Sequence, residues 1–189
     1  MSKFILMSLS ILVLFSSCGG NETFIPKPPT YLRIDLPERN YTEFDDSCAF
    51  KFEIPTYSKI SKSNYGSDCN KNLNLGSLNG IINLSFIKMD TSLAAYVNYA
   101  IDKVEEHKIK ATAIKDTNII RPDSKVYGTF FALEGNVATP FQFYLTDSTS
   151  NFMSGVVYFN SVPNYDSIKP VLDFVKKDIL HLLKTTEWQ

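Results

Sequence analysis

A chain of 189 residues with 19 basic and 20 acidic side chains, a formal net charge of −1 and no long run of either sign argues against a nucleic-acid-binding face. The same balance argues against polybasic adhesion to lipid headgroups. About 170 residues remain after an N-terminal leader, enough for one domain with a sizeable core, and 14 Phe and 10 Tyr suit a β-rich interior.

The leader comes first. Lys3 is followed by an apolar run over residues 4–15, broken only by Ser8 and Ser10, and Ser16-Ser17 places small residues before Cys18. The run is too short to span a bilayer and has the flanks of a cleaved secretory segment. It predicts a signal peptide over 1–17, cleavage before Cys18 and lipid attachment to Cys18, with palmitate among the acyl groups. Phe15 is bulkier than the aliphatic residue usual at that position, so an ordinary signal peptide is the alternative; either reading exports the protein. Gly19 is not acidic, which favours the outer membrane, facing the periplasm.

Residues 18–46 form a lipid-anchored tether and an extended arm. Pro26, Pro28, Pro29 and Pro37 oppose helix. Beyond Thr30, Leu32, Ile34 and Leu36 alternate with Arg33 and Asp35, the period of a strand with one face to bury. Tyr31, Leu32, Arg33, Ile34, Asp35 and Leu36 are therefore a candidate arm, docked on its own domain or on a partner.

Residues 47–189 read as a single α+β domain. Phe50, Phe52 and Ile54 alternate with charged residues up to Pro55. Residues 58–74, rich in Asn and Ser, read as a long loop. Residues 81–89 are a strand, and Asp90, Thr91 or Ser92 can cap the helix after it. In that helix Leu93, Val97, Ala100, Ile101 and Val104 fall on one face, to pack against a sheet. Residues 111–120 are a further strand, and 126–134, 141–146 and 152–159 form a meander. Its turns lie at Gly135-Asn136 and 147–150, and Pro140 marks an irregular or edge start to the middle strand. An Asp166-Ser167 cap opens a closing helix to about Lys184, with Pro170 in its first turn and a continuous apolar stripe from Ile168 to Leu183.

Cys48 and Cys69 are an even pair in an exported chain. A disulfide closing a loop of about 22 residues would add roughly 3 kcal/mol in the chain-entropy account; two buried free thiols are the alternative.

Catalytic constellations do not assemble in the sequence. His107 and His181 sit near helix ends, where the helix dipole favours them. No zinc or calcium spacing occurs, so neither a metal nor any other cofactor is expected. The glycines form neither a nucleophile elbow nor a phosphate cradle. Paired carboxylates exist at Asp45-Asp46 and Glu105-Glu106, with Asp147 as a further acid, but in places where turns and helix faces ordinarily put them.

The motif Pro26-Lys27-Pro28-Pro29 followed by Tyr31-Leu32-Arg33-Ile34-Asp35-Leu36-Pro37 resembles the GldD family of gliding-motility lipoproteins. So do the segment following Asp46-Ser47-Cys48 and Lys125-Val126-Tyr127-Gly128. The block from Pro140 through Asp147-Ser148 and on to Pro163-Asn164-Tyr165-Asp166-Ser167 and Trp188 carries the same resemblance. It covers nearly the whole mature chain and implies an envelope lipoprotein of Bacteroidota required for gliding. The expected role is that of a non-enzymatic scaffold or docking component among other motility and type IX secretion proteins. Cys18 takes the family's lipidated position, and Cys48 and Cys69 its cysteine pair; no catalytic residue transfers. Envelope hydrolysis of glycan and periplasmic carriage of a small ligand are the alternatives. The order of elements is also similar to PsbP-like domains, an antiparallel sheet covered by helices. Asp147-Ser148-Thr149 and Asp166-Ser167-Ile168 match a short pattern resembling Bacteroidota O-glycosylation acceptors, which makes Ser148 and Ser167 candidate sites; as turn and cap, both also have a structural explanation.

Overall fold

The structure is a computed structural model, and it describes residues 34–189. The leader, Cys18, Tyr31, Leu32 and Arg33 lie outside the described residues.

The larger sheet is antiparallel throughout. Its order is β3 (Lys59–Lys62), β4 (Lys71–Asn74), β5 (Gly80–Lys88), β9 (Asn151–Phe159), β8 (Phe141–Thr146), β7 (Val126–Gly135) and β6 (Ala111–Arg121). A smaller sheet joins β1 (Tyr41–Asp45), β2 (Phe50–Pro55) and the two-residue β10 (Glu187–Trp188), with β2 in the middle. Helix α1 (Leu93–Glu105) lies on one face of the large sheet, and helix α2 (Tyr165–Thr185) is buried with the other.

Alternation along the strands sorts side chains between these layers. On β8, Phe141, Phe143 and Leu145 enter the main core. There they join Ile82, Leu84 and Phe86 of β5, Met153 and Val157 of β9, and Phe50, Phe52 and Ile54 of β2. From α2 come Val171, Leu172, Val175, Ile179, Leu182 and Leu183, all buried. At roughly 1.5–3 kcal/mol per buried side chain, this stripe makes α2 a principal stabilising element. Gly155 faces Phe143 across the β8–β9 ladder, and a Cβ there would fall 2.0 Å from the Phe143 ring, so the ring needs a bare backbone to lie on.

Several expectations need correction. Residues 34–40 form no ladder; the strand of this region is β1, and Ile34 packs on the main core without pairing. The folded unit thus begins N-terminal to residue 47. Residues 58–74 are not one loop but contain the β3–β4 hairpin, in register from Lys59–Asn74 to Lys62–Lys71. The β7–β8 connection runs from Asn136 to Pro140 and is longer than a two-residue turn. Pro140 lies just outside β8, where its carbonyl accepts from the Leu133 amide at 2.8 Å, and β8 itself is a central strand. Asn164, not Asp166-Ser167, caps α2: its side chain accepts from the Ser167 amide at 3.3 Å. Pro170 therefore falls past the first turn, where it withholds a helical N–H. Ser92 occupies the N-cap of α1 without a side-chain cap bond, and of the residues in α1 only Val104 is buried.

Candidate functional site

Two places gather polar side chains that the fold must have a reason to hold. The first is where the entering arm meets the closing helix. Asp178 interrupts the apolar stripe of α2, and its side chain is only 2% exposed. A carboxylate so placed must be compensated by charge and hydrogen bonds. Arg39 Nε lies 2.7 Å from Oδ1, Tyr41 Oη donates to Oδ1 at 2.7 Å, and Tyr57 Oη donates to Oδ2 at 2.6 Å.

The surrounding contacts lock these donors. The Arg39 guanidinium sits 4.1 Å above the Phe174 ring and donates to the Phe174 carbonyl at 3.2 Å. Tyr41 stacks on His181 with centroids 3.6 Å apart, and His181 Nε2 lies 2.5 Å from Glu53 Oε2. His181 thus bridges β1 to β2 from α2 rather than serving only the helix end. Burial, then the hydrogen bond to Asp178, pushes the Tyr41 phenol up to about 12. The same causes push the Tyr57 phenol higher still.

The second place lies on the opposite face of the large sheet. Between α1 and the strands is a cleft of about 380 Å³, floored by Phe131, Phe152 and Val156 and overhung by Tyr96 and Tyr99. At one end Gln142 Nε2 donates to Thr139 Oγ1 at 2.9 Å, and Thr139 Oγ1 pairs with His107 Nε2 at 2.8 Å. His107, read from sequence as a helix-end residue, is held by this chain of polar atoms.

The remaining candidates are dispersed. Asp46 pairs with Lys71 Nζ at 2.5 Å and accepts from the Cys48 amide. Asp45 accepts from Gln189 Nε2 at 3.1 Å. Glu106 pairs with Lys103 at 2.7 Å and Glu105 with Lys108. Asp147 organises the β8–β9 turn: burial works against its charge, but the amides of Asn151, Ser150 and Thr149 donate to it and hold its pKa at about 2. It also borders an open recess with Asp123 and Glu187, and Glu187 pairs with Lys51 at 3.3 Å. Ser148 is exposed in that turn, and Ser167 is half-buried in the first turn of α2. Cys48 and Cys69 are bonded, with Cα atoms 5.6 Å apart, which ties the start of β2 to the β3–β4 hairpin. In the arm, Ile34 is packed on the core and Leu36 is 41% exposed. Among the described residues, no group of three or more His, Cys, Asp or Glu is placed to hold a metal ion, and no helix is long and apolar enough to cross a membrane.

These features define the class: an antiparallel α+β domain whose entering segment is fastened to its C-terminal helix. The model of the family described as gliding motility lipoprotein GldD matches residues 21–188, and the chain belongs to that family. It is accordingly a gliding-motility lipoprotein, anchored in the cell envelope by lipid. Among solved structures, the solution structure of cyanobacterial PsbP (CyanoP) from Synechocystis sp. PCC 6803 is similar. The two share 8% identity over 93% of this chain and 99% of that chain, with a TM-score of 0.49. Among curated proteins, nothing matches.

Proposed function

We propose that the protein is a non-enzymatic docking component of the gliding machinery and the type IX secretion system linked to it. Lipid on Cys18 holds it at the periplasmic face of the outer membrane. Each buried acyl methylene adds about 0.8 kcal/mol, so several chains on one cysteine make an effectively permanent anchor. The carrying observation is the Asp178 cluster. A tether fixes the orientation of a domain only if the chain is fastened where it enters, and Arg39 and Tyr41 are fastened to α2 a few residues after the arm. Family membership supports the same reading. Residues 31–36 are the segment we assign to partner contact, with Leu36 the most exposed apolar side chain of its described part.

The test is purification of tagged protein from solubilised envelopes. Wild type should bring other envelope motility proteins with it, and deletion of residues 31–36 should lose them while the protein stays abundant. Unchanged recovery would reject the arm. Loss of gliding on Asp147→Asn or His181→Gln alone, in protein of normal abundance and stability, would favour chemistry over docking.

A further inference from the structure

Helix α1 covers its face of the large sheet incompletely. Val104 sits on Leu133 and Val137, and Tyr96 packs against Phe152 with ring centroids 5.4 Å apart. Yet the helix buries no other residue, and the cleft beneath it remains open. An amphipathic helix that serves only as cover would close onto the aromatic floor, because apolar surface left in water is unfavourable.

The cleft is chemically one-sided. Most of its lining is apolar, and Ala100, facing it from the helix, leaves room where a larger side chain would fill it. The charges at the rim, Lys103 and Glu106, pair with each other at 2.7 Å. A charged occupant would therefore shed its hydration without gaining a counter-ion. One end is polar. Gln142 is 5% exposed, its Nε2 is committed to Thr139, and its Oε1 has no hydrogen-bond partner among the described residues. This oxygen is not among the buried side-chain atoms that lack a partner, so it opens onto the cleft, where an occupant's N–H or O–H can replace water as its donor. The volume falls within the range of small-molecule sites.

We propose that this cleft binds a small uncharged molecule with an apolar body and one N–H or O–H group, which donates to Gln142 Oε1 while the body lies on Phe131 and Phe152. The site goes beyond the docking role and stands or falls independently of it.

The experiment uses full-length lipidated protein in nanodiscs, with Phe and Tyr ring signals followed by NMR and empty nanodiscs as the blank. The probes are 3-phenylpropanol, its methyl ether, 3-phenylpropanoate and glucose. Expected are shifts at Tyr96 and Phe152 with 3-phenylpropanol, about fivefold weaker binding of the ether for want of one hydrogen bond, and no binding of the anion or the sugar. Gln142→Leu should erase the difference between alcohol and ether, and Ala100→Phe should abolish binding of both. Equal affinity of alcohol and ether for wild type would overturn the proposal without reliance on any variant. Binding that survives Ala100→Phe, or binding of glucose in place of the alcohol, would overturn it as well.

Discussion

Arg39 and Asp178 meet at 2.7 Å across 139 positions of sequence, joining the segment that enters the domain to the helix that closes it. The carboxylate is buried while the guanidinium keeps 30% of its side-chain surface in solvent, so the pair is asymmetric. Removing the carboxylate frees an arginine that water can still reach, whereas removing the arginine leaves a buried anion with only two tyrosine donors.

Arg39→Ala should destabilise the domain by about 3 kcal/mol, and Asp178→Ala, which leaves no buried charge behind, by less. The double variant should cost less than the sum by at least about 1 kcal/mol, because the two side chains share one interaction. Urea unfolding of the four proteins measures this cycle directly.

Alkaline pH should attack the same cluster. Tyr41 and Tyr57 have folded pKa values raised above the ordinary phenol, Tyr41 to about 12. A raised pKa means the folded state holds the proton more tightly than the unfolded state. The resulting stability is fully present below a pH of about 10 and is lost as pH rises toward the folded value. Unfolding midpoints should be flat between neutral pH and about 9.5 and then fall, and Tyr57→Phe should shallow that fall.

Acid should act elsewhere, at the β8–β9 turn of the larger sheet. The Asp147 pKa of about 2 lies below that of an ordinary carboxylate, so its contribution is present above a pH of about 4 and is lost as pH falls through the folded value. After allowance for solvent screening at this partly exposed turn, the contribution is about 1 kcal/mol. Comparing wild type and Asp147→Asn by urea unfolding at neutral pH and at about pH 2 should show the gap between them shrinking in acid.

The Cys48–Cys69 bond closes a loop with a sequence separation of 21. Reduction should lower stability by about 3 kcal/mol through the greater freedom of the unfolded chain. A Cys48→Ala, Cys69→Ala double variant should match reduced wild type and be indifferent to reductant, which unfolding with and without dithiothreitol would check.

What could be read from sequence depended on how many faces an element buries. Strands β2, β5, β7, β8 and β9 carry apolar side chains at period two because at least one face meets the core, and their bounds fall within a residue or two of expectation. The β3–β4 hairpin was hidden because it lies at an edge: Lys59, Ser61 and Lys62 are exposed, and Leu73 is the one fully buried apolar side chain it contributes. The apolar alternation of Leu32, Ile34 and Leu36 pointed to a strand, yet Ile34 reaches the core from a segment with no ladder. Asp178 gives no signal of its own within an apolar stripe, since its partners at Arg39, Tyr41 and Tyr57 become neighbours only through tertiary structure. The cleft was equally hidden, because the apolar stripe of α1 looks the same whether the helix closes on the sheet or stands away from it.

The docking account rests on acylation at Cys18. Cells grown with radioactive palmitate should yield labelled wild-type protein in the envelope fraction. Cys18→Ser should give unlabelled protein, with gliding abolished and the domain still folded. Unlabelled wild-type protein recovered free of the membrane, in cells that still glide, would contradict it.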